Sequence, residues 1–285
     1  MKDGALTGMY YDYAMAAPYM AGAKEKDTVR VLVLGNGTGT YATQCLRYFD
    51  NMEIEGVEID GKIMKLADQY FEQPKEVNVT EFDGRAFLNA TGHTYDVIMV
   101  DAFRDITIPF QMSSLEFFEL VKAHLAPDGV MVVNLNMRGD EPGDINHYLC
   151  DTISHVFDEV YTADVPNTTN RELFAASAGT QTIGTMLGGE ANNGPAADSA
   201  ATGSAAPAAR IISRLASGIT IEQDAQLRAL METVYHSLAP YEAGDLLLTD
   251  DRAPVEMLGI RQIDAIIRDE IDRYRDQIRA GDFSF

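Results

Sequence analysis

The chain is poor in cysteine, poor in positive charge and free of long apolar runs, and each shortage removes a class of protein. Only two cysteines occur among 285 residues, Cys45 and Cys150. They are far apart and lie in periodic apolar segments, so they read as small buried hydrophobes of a reduced protein, not as a disulfide frame. Lys and Arg number 22 against 44 Asp and Glu, a formal net charge of -22. A protein that grips a phosphate backbone needs a basic stripe, and none is visible, which argues against nucleic acid as a partner. The same field would attract a cationic substrate, although acidity alone also serves solubility. No stretch reaches the roughly 18 unbroken apolar residues of a membrane span. No charged-then-apolar leader ends in a small-residue cleavage site. A cytoplasmic location is therefore the expectation.

Familiar catalytic signatures are also missing. The five histidines (His93, His124, His147, His155 and His236) form no H-E-x-x-H pair. His147, Cys150 and His155 are close in sequence, but their spacing fits no standard zinc pattern, and no metal is expected. There is no G-x-S-x-G elbow and no P-loop lysine.

What the chain does have is an alternation of strands and helices. Hydrophobic residues make up 46% of it, enough for one large core. Val29–Leu34 (VRVLVL) is a β-branched run that barely alternates, as a buried parallel strand does. Further strands are expected at 52–59, 76–82, 95–100, 130–135, 160–163 and 172–175. Helices are expected at 41–49, 62–71, from 85, at 114–125 and at 144–157, with a Pro127-Asp128-Gly129 turn before the fifth strand. This pattern predicts an α/β fold of Rossmann-like type, a mostly parallel seven-stranded sheet with helices on both faces. Residues 1–28 form a lead segment, 29–185 the nucleoside-binding core and 186–209 a flexible insertion rich in Gly, Ala, Ser, Asn and Pro. Residues 210–285 supply helices at about 225–238 and 261–280 and a closing strand around the apolar run 246–248.

Four loops carry the chemistry. Gly35-Asn36-Gly37-Thr38-Gly39-Thr40 joins the first strand to the first core helix. Glycines there permit a sharp turn and close approach of a ligand, and the helix N-terminus adds free N–H donors. A dinucleotide fingerprint, G-x-G-x-x-G, would need glycine at Thr40, so the spacing favours a single nucleoside over a nicotinamide cofactor. Glu58, in Val57-Glu58-Ile59-Asp60, lies about 20 residues further on, where an acid accepts ribose hydroxyls. Asp83-Gly84 opens a helix and offers a carboxylate and N–H groups to an adenine edge. Asp101, with Asp105 four residues later, follows the fourth strand. All four loops sit past the carboxyl ends of consecutive strands, where an open parallel sheet forms its ligand crevice. Tyr10, Tyr11 and Tyr13 are expected chiefly to pack the lead segment on the core, with lining of the site as the alternative.

At these residues the chain resembles the spermidine synthase family of aminopropyltransferases, closest to spermidine synthase-like domains often fused to membrane segments. The resemblance is carried by VRVLVLGNGTGT, GVEIDGKIMKLADQYF, FDGRAFL, YDVIMVDAF, IPFQMSS, EFFELVKAHLAPDGVMVVN and LLLTDDRAPVE, over roughly 6–178 and 244–257. It implies that Gly35, Asn36, Gly37, Thr38, Gly39, Glu58, Ile59, Asp83, Gly84 and Asp101 hold decarboxylated S-adenosylmethionine, or S-adenosylmethionine itself. Asp101 and Asp105 would be the catalytic carboxylates and a small cationic amine such as putrescine the acceptor. Thr38 stands where the family's loop carries an Asp. Asp105 comes four residues after Asp101 instead of three, with Arg104 between them. The resemblance also implies a homodimer and membrane segments upstream as options. Two other readings stay open: a methyltransferase using S-adenosylmethionine, and a nucleoside-binding module without catalysis.

Overall fold

The computed structural model describes residues 4–103, 108–136, 139, 142–177 and 210–280. Eight strands form one sheet: β1 Val29–Leu34, β2 Met52–Glu58, β3 Val77–Glu81, β4 Tyr95–Val100, β5 Leu125–Leu135, β6 Glu159–Asp164, β7 Arg171–Ala176 and β8 Ala239–Pro240. Their spatial order is β3-β2-β1-β4-β5-β7-β6-β8. The five strands from β3 to β5 run parallel, and β7, β6 and β8 are joined antiparallel. Chain order reverses between β1 and β4, so the sheet has its switch point there, and a crevice opens beyond the carboxyl ends of those two strands.

The helices are α1 Tyr10–Ala14, α2 Ala16–Met20, α3 Thr40–Tyr48, α4 Gly61–Leu66, α5 Gly84–Ala90, α6 Leu115–Ala123, α7 Ile145–Ser154, α8 Arg210–Ile221, α9 Ala225–Ser237 and α10 Val255–Ala280. Side chains alternate across a strand, so each central strand feeds two cores. Val31, Val33, Val97, Met99, Val130 and Val132 pack with residues of α1, α2, α3, α8 and α9 on one face. Leu32, Leu34, Ile98, Val100, Met131 and Val133 pack with α5, α6, α7 and the start of α10 on the other. Side-chain oxygens cap five of the ten helix starts: Asp60, Asp83, Ser114, Asp144 and Asp224 each accept a backbone N–H of the first turn. Cys45 and Cys150 are buried free thiols, both pushed up to about 12 by burial.

The sheet departs from expectation in three places. It has eight strands, not seven, because the two-residue β8 pairs with β6 at the edge. Pro127-Asp128-Gly129 lies inside β5, and the extra length is absorbed by a register shift against β4 between Tyr95 and Val97. The apolar run 246–248 is no strand. Its amides are satisfied from α7, with Leu246 N–H donating to Asp151 Oδ2 at 2.9 Å and Leu248 N–H to Thr152 Oγ1 at 3.0 Å. Helices α1, α2 and α8 were not foreseen, and α10 starts at Val255, six residues before the expected Arg261. The expected insertion, 186–209, lies outside the described residues.

Candidate active site

A cleft of about 450 Å³ opens at the switch point. Its floor is the loop after β1. Gly35 has φ +85°, and a Cβ there would stand 2.4 Å from the Asp101 carbonyl oxygen. Only glycine lets the ends of β1 and β4 approach this closely. Gly37 and Gly39 also have positive φ, which winds the loop into the N-terminus of α3.

Glu58 ends β2 and is buried. Its Oε2 accepts the Gly37 N–H at 2.8 Å and its Oε1 the Asp60 N–H at 3.0 Å. Two backbone donors fix the carboxylate beside the glycine loop, and each oxygen keeps a further lone pair. Ile59 projects into the cleft mouth and is exposed. Asp83 uses Oδ1 to cap α5 through the Ala86 N–H at 2.8 Å. At Gly84, next to it, an added Cβ would meet Met112 at 3.2 Å and Leu34 at 3.5 Å. Of the ten residues named for nucleoside binding, nine line this cleft: Gly35, Asn36, Gly37, Thr38, Glu58, Ile59, Asp83, Gly84 and Asp101. Gly39 sits behind it, where a Cβ would meet Gln73 at 2.8 Å. Asp105 and Arg104 lie outside the described residues.

Asp101 is the electrostatic centre. Its Oδ2 accepts the Tyr10 hydroxyl at 2.8 Å and its Oδ1 the Asn134 amide at 2.9 Å. Asn134 is held in turn by Asn170, whose Nδ2 donates to Asn134 Oδ1 at 2.8 Å. Burial lifts the Asp101 carboxyl to about 7; the bonds from Asn134 and Tyr10 pull the other way, and the charge of Glu58 adds to the rise. A carboxyl balanced there can accept a proton near neutral pH. Burial raises the Tyr10 hydroxyl, so it stays a neutral donor.

Sequence reasoning missed three parts of this arrangement. Tyr10 and Tyr11, expected mainly as packing, line the cleft, while Tyr13 does go to the core. Asn134, at the end of an otherwise apolar strand, was a polar interruption that could have been noticed. The stretch with Asp250 and Asp251 is expected from the sequence to close the back of the crevice, but no partner for Asp250 was named. It forms a two-pronged pair with Arg85 of α5, both bonds 2.6 Å, and accepts Ser114 Oγ at 2.5 Å. That clamp ties the chain after residue 248 to the helix whose cap is Asp83, and Arg85 holds the Asp250 carboxyl below its ordinary range.

Behind the cleft lies Glu172 of β7, paired in register with Asn134 of β5. It is fully buried, and neither of its carboxylate oxygens meets a hydrogen-bond donor. Burial drives its carboxyl well above the ordinary range, with the Asp101 charge adding to the effect. An acid with raised pKa favours the folded state at low pH, and that contribution fades as pH rises from the unfolded value towards the folded one. Glu172→Leu is therefore expected to raise stability by about 1–3 kcal/mol at pH 8 and by much less at pH 5. Denaturant titrations at the two pH values measure this; a destabilised variant at pH 8 would refute it.

Comparison with known proteins shows what the chain is similar to. A sequence profile described as the spermine/spermidine synthase domain matches residues 12–184. A probable polyamine aminopropyl transferase of Bifidobacterium longum is 47% identical over 288 residues, covering 99% of this chain and 60% of that protein. The chain thus spans about 60% of this relative's length. Among solved structures, a probable spermidine synthase from Corynebacterium glutamicum superposes with a TM-score of 0.54 at 23% identity, over 61% of this chain and 66% of that one. Human methyltransferase-like protein 13, in complex with SAH, gives 0.56 at 20% identity, over 85% and 98%. These two likenesses speak to the fold alone. With the profile covering more than half of it, the chain belongs to the spermine/spermidine synthase domain family.

Proposed function

We propose that this domain transfers an aminopropyl group from decarboxylated S-adenosylmethionine to a small diamine. The observation that carries the reading is Asp101, a carboxyl balanced near neutrality on the cleft floor, beside a glycine loop and a buried Glu58. The relative from Bifidobacterium longum, named for this chemistry, adds weight.

In this reading Glu58 accepts the ribose hydroxyls and Asp83-Gly84 meets the adenine edge. The loop of Gly35, Asn36, Gly37, Thr38 and Gly39 packs against the sugar and the sulfonium chain, with Ile59 against the base. The acceptor amine is charged in water, with a pKa of about 10.4 by analogy with lysine. Asp101 orients it and takes up its proton. The freed nitrogen lone pair attacks the carbon next to the sulfonium, the C–N bond forms and the C–S bond breaks. The bonding pair returns to sulfur, and neutral methylthioadenosine leaves. Alignment of nitrogen, carbon and sulfur supplies much of the acceleration. Tyr10 and Asn134 position the Asp101 carboxylate. Asp105 is the second carboxylate in this scheme, and the excess of acid over base favours a cationic acceptor.

One observation favours a second reading. Thr38 stands at the cleft where a carboxylate would repel the carboxylate of intact S-adenosylmethionine, so methyl transfer from that donor is the competing chemistry. Mass spectrometry separates the two. Protein incubated with decarboxylated S-adenosylmethionine and putrescine is expected to give spermidine and methylthioadenosine in equal amounts. S-adenosylhomocysteine from the intact donor, with no methylthioadenosine from the other, would overturn the proposal in favour of methyl transfer.

A further inference from the structure

Two stretches of the cleft wall come from separate elements, and one guanidinium joins them. Phe82, Asp83 and Gly84 supply the first stretch, at the start of α5. Pro109, Gln111 and Met112 supply the second, in and just before one short turn, Phe110–Met112, that precedes α6. The two meet where a Cβ on Gly84 would stand 3.2 Å from Met112 Cε. Arg85, the next residue of α5, does not line the cleft. Whatever it does for a ligand, it does through its neighbours.

Those neighbours form a bracket. Arg85 Nη1 donates to the Gln111 carbonyl at 3.0 Å and to Asp250 Oδ1 at 2.6 Å, and Nη2 donates to Asp250 Oδ2 at 2.6 Å. Asp250 is itself held to the first turn of α6. Its Oδ1 accepts Ser114 Oγ at 2.5 Å, and its N–H donates to Glu116 Oε2 at 2.9 Å. Two residues earlier, the Leu248 carbonyl accepts the Leu115 N–H at 2.8 Å. The planar fork of arginine can grip a carboxylate with two N–H groups and still reach a carbonyl, which a lysine ammonium cannot reproduce.

Magnitudes separate a role in folding from a role in the cleft. The Arg85 and Asp250 side chains are 21% and 40% exposed, and an ion pair so placed adds little to stability. The segment has other anchors, since Leu248, Val255 and Leu258 are buried in the core. The fold therefore survives without the bracket. A ligand slot is less tolerant, because a displacement of about 1 Å far from the chemistry can cost about 100-fold in catalysis.

Taking the cleft as a nucleoside site, as the proposed function does, we propose that Arg85 is a positioning residue for the nucleoside. Its fork, backed by Asp250, holds the turn of Gln111 and Met112 against the start of α5 and so sets the width of the slot. Methylthioadenosine is the probe, because it is neutral and the loss of a distant cation cannot change its binding through charge. Calorimetry is expected to show its Kd raised about 10-fold in Arg85→Met, with the denaturant midpoint nearly unchanged. With decarboxylated S-adenosylmethionine and putrescine, KM for the donor should rise by a similar factor while kcat holds. Loss of a cation acting through its field alone would lower KM for this cationic donor, the opposite sign. Arg85→Lys keeps the charge without the fork and should resemble Arg85→Met. Arg85→Met/Asp250→Asn should bind no worse than Arg85→Met, since the two residues act as one unit. Arg214→Met breaks an ion pair of like exposure, to Asp128 near the amino end of β5, and should leave affinity unchanged. Wild-type affinity in Arg85→Met, full recovery in Arg85→Lys, additive losses in the double variant or an equal loss in Arg214→Met would overturn the bracket and leave the nucleoside reading standing. A wild-type chain that binds no methylthioadenosine would overturn that reading, and the bracket with it.

Discussion

Asp101→Asn is expected to lower kcat for aminopropyl transfer by about 1,000-fold, within the range that loss of a positioned general base produces. Asparagine has nearly the same shape. Its carbonyl can accept the Asn134 amide, and its own amide can donate to the Tyr10 hydroxyl, which is free to reverse roles. The pocket should therefore keep its form and its affinity for the nucleoside, so the loss falls on kcat more than on binding. The pH profile is the sharper readout. In the wild type, the proton-accepting form of Asp101 fills as pH rises through about 7, so activity rises across that range. The variant should lose that acidic limb altogether. Stability should move the opposite way. The folded carboxyl titrates above its ordinary value, so its contribution is complete below pH 4 and is lost as pH rises to about 7. Asn removes that loss and should melt higher at neutral pH, by at most about 4 kcal/mol. Undiminished turnover in Asp101→Asn would exclude the residue as the base.

Gly35→Ala is expected to be the most damaging single methyl in the cleft. The new Cβ would lie 2.4 Å from the Asp101 carbonyl oxygen and 2.8 Å from Ala102 Cα, and the backbone is at φ +85°. Neither obstacle is a flexible side chain, so β1 and β4 must separate where they meet. A loss of about 3 kcal/mol or more follows from the clash and the strain together. Because the atom displaced belongs to Asp101, nucleoside affinity and turnover should fall together. Gly37→Ala is the internal control, since its φ is +53° and a Cβ there meets nothing within 4 Å. It should cost about 1–2 kcal/mol of backbone strain alone. Denaturant midpoints and calorimetric titration with the nucleoside product test the pair; equal effects at both positions would show that the contact with Asp101 is not what matters.

The parallel half of the sheet was legible because its signals are local. Val29–Leu34 announces itself by composition, and the glycine loop is followed at once by a helix. The acids at 58, 83 and 101 could be placed together because strand ends converge in any open parallel sheet. What escaped depended on distant contacts. Tyr10 reaches Asp101 across 91 residues of chain, and Asp250 reaches Arg85 across 165. No periodicity in a five-residue helix such as α1 reports such a partner. The run 246–248 was misjudged because three consecutive leucines, the last of them buried, look like a strand's. Its amides, however, are met by side chains of α7 instead of a neighbouring strand. Glu172 was hidden for another reason: an acid inside a strand reads as solvent-facing, whereas here it is buried near Tyr11 of α1 and Tyr41 of α3.

The order β5-β7-β6 has a consequence for how the molecule is assembled during synthesis. β6 and β7 form a hairpin, yet it is the later strand of the two that joins β5. The sheet therefore cannot grow strand by strand as the chain is made. β5 keeps that edge unpaired until β7, which ends at Ala176, has been made. Glu172 rides on the joining strand, so that closing step carries an acid out of water, and burial pushes its carboxyl well above the ordinary range. The strand that closes the β5 edge is also the one that carries this acid.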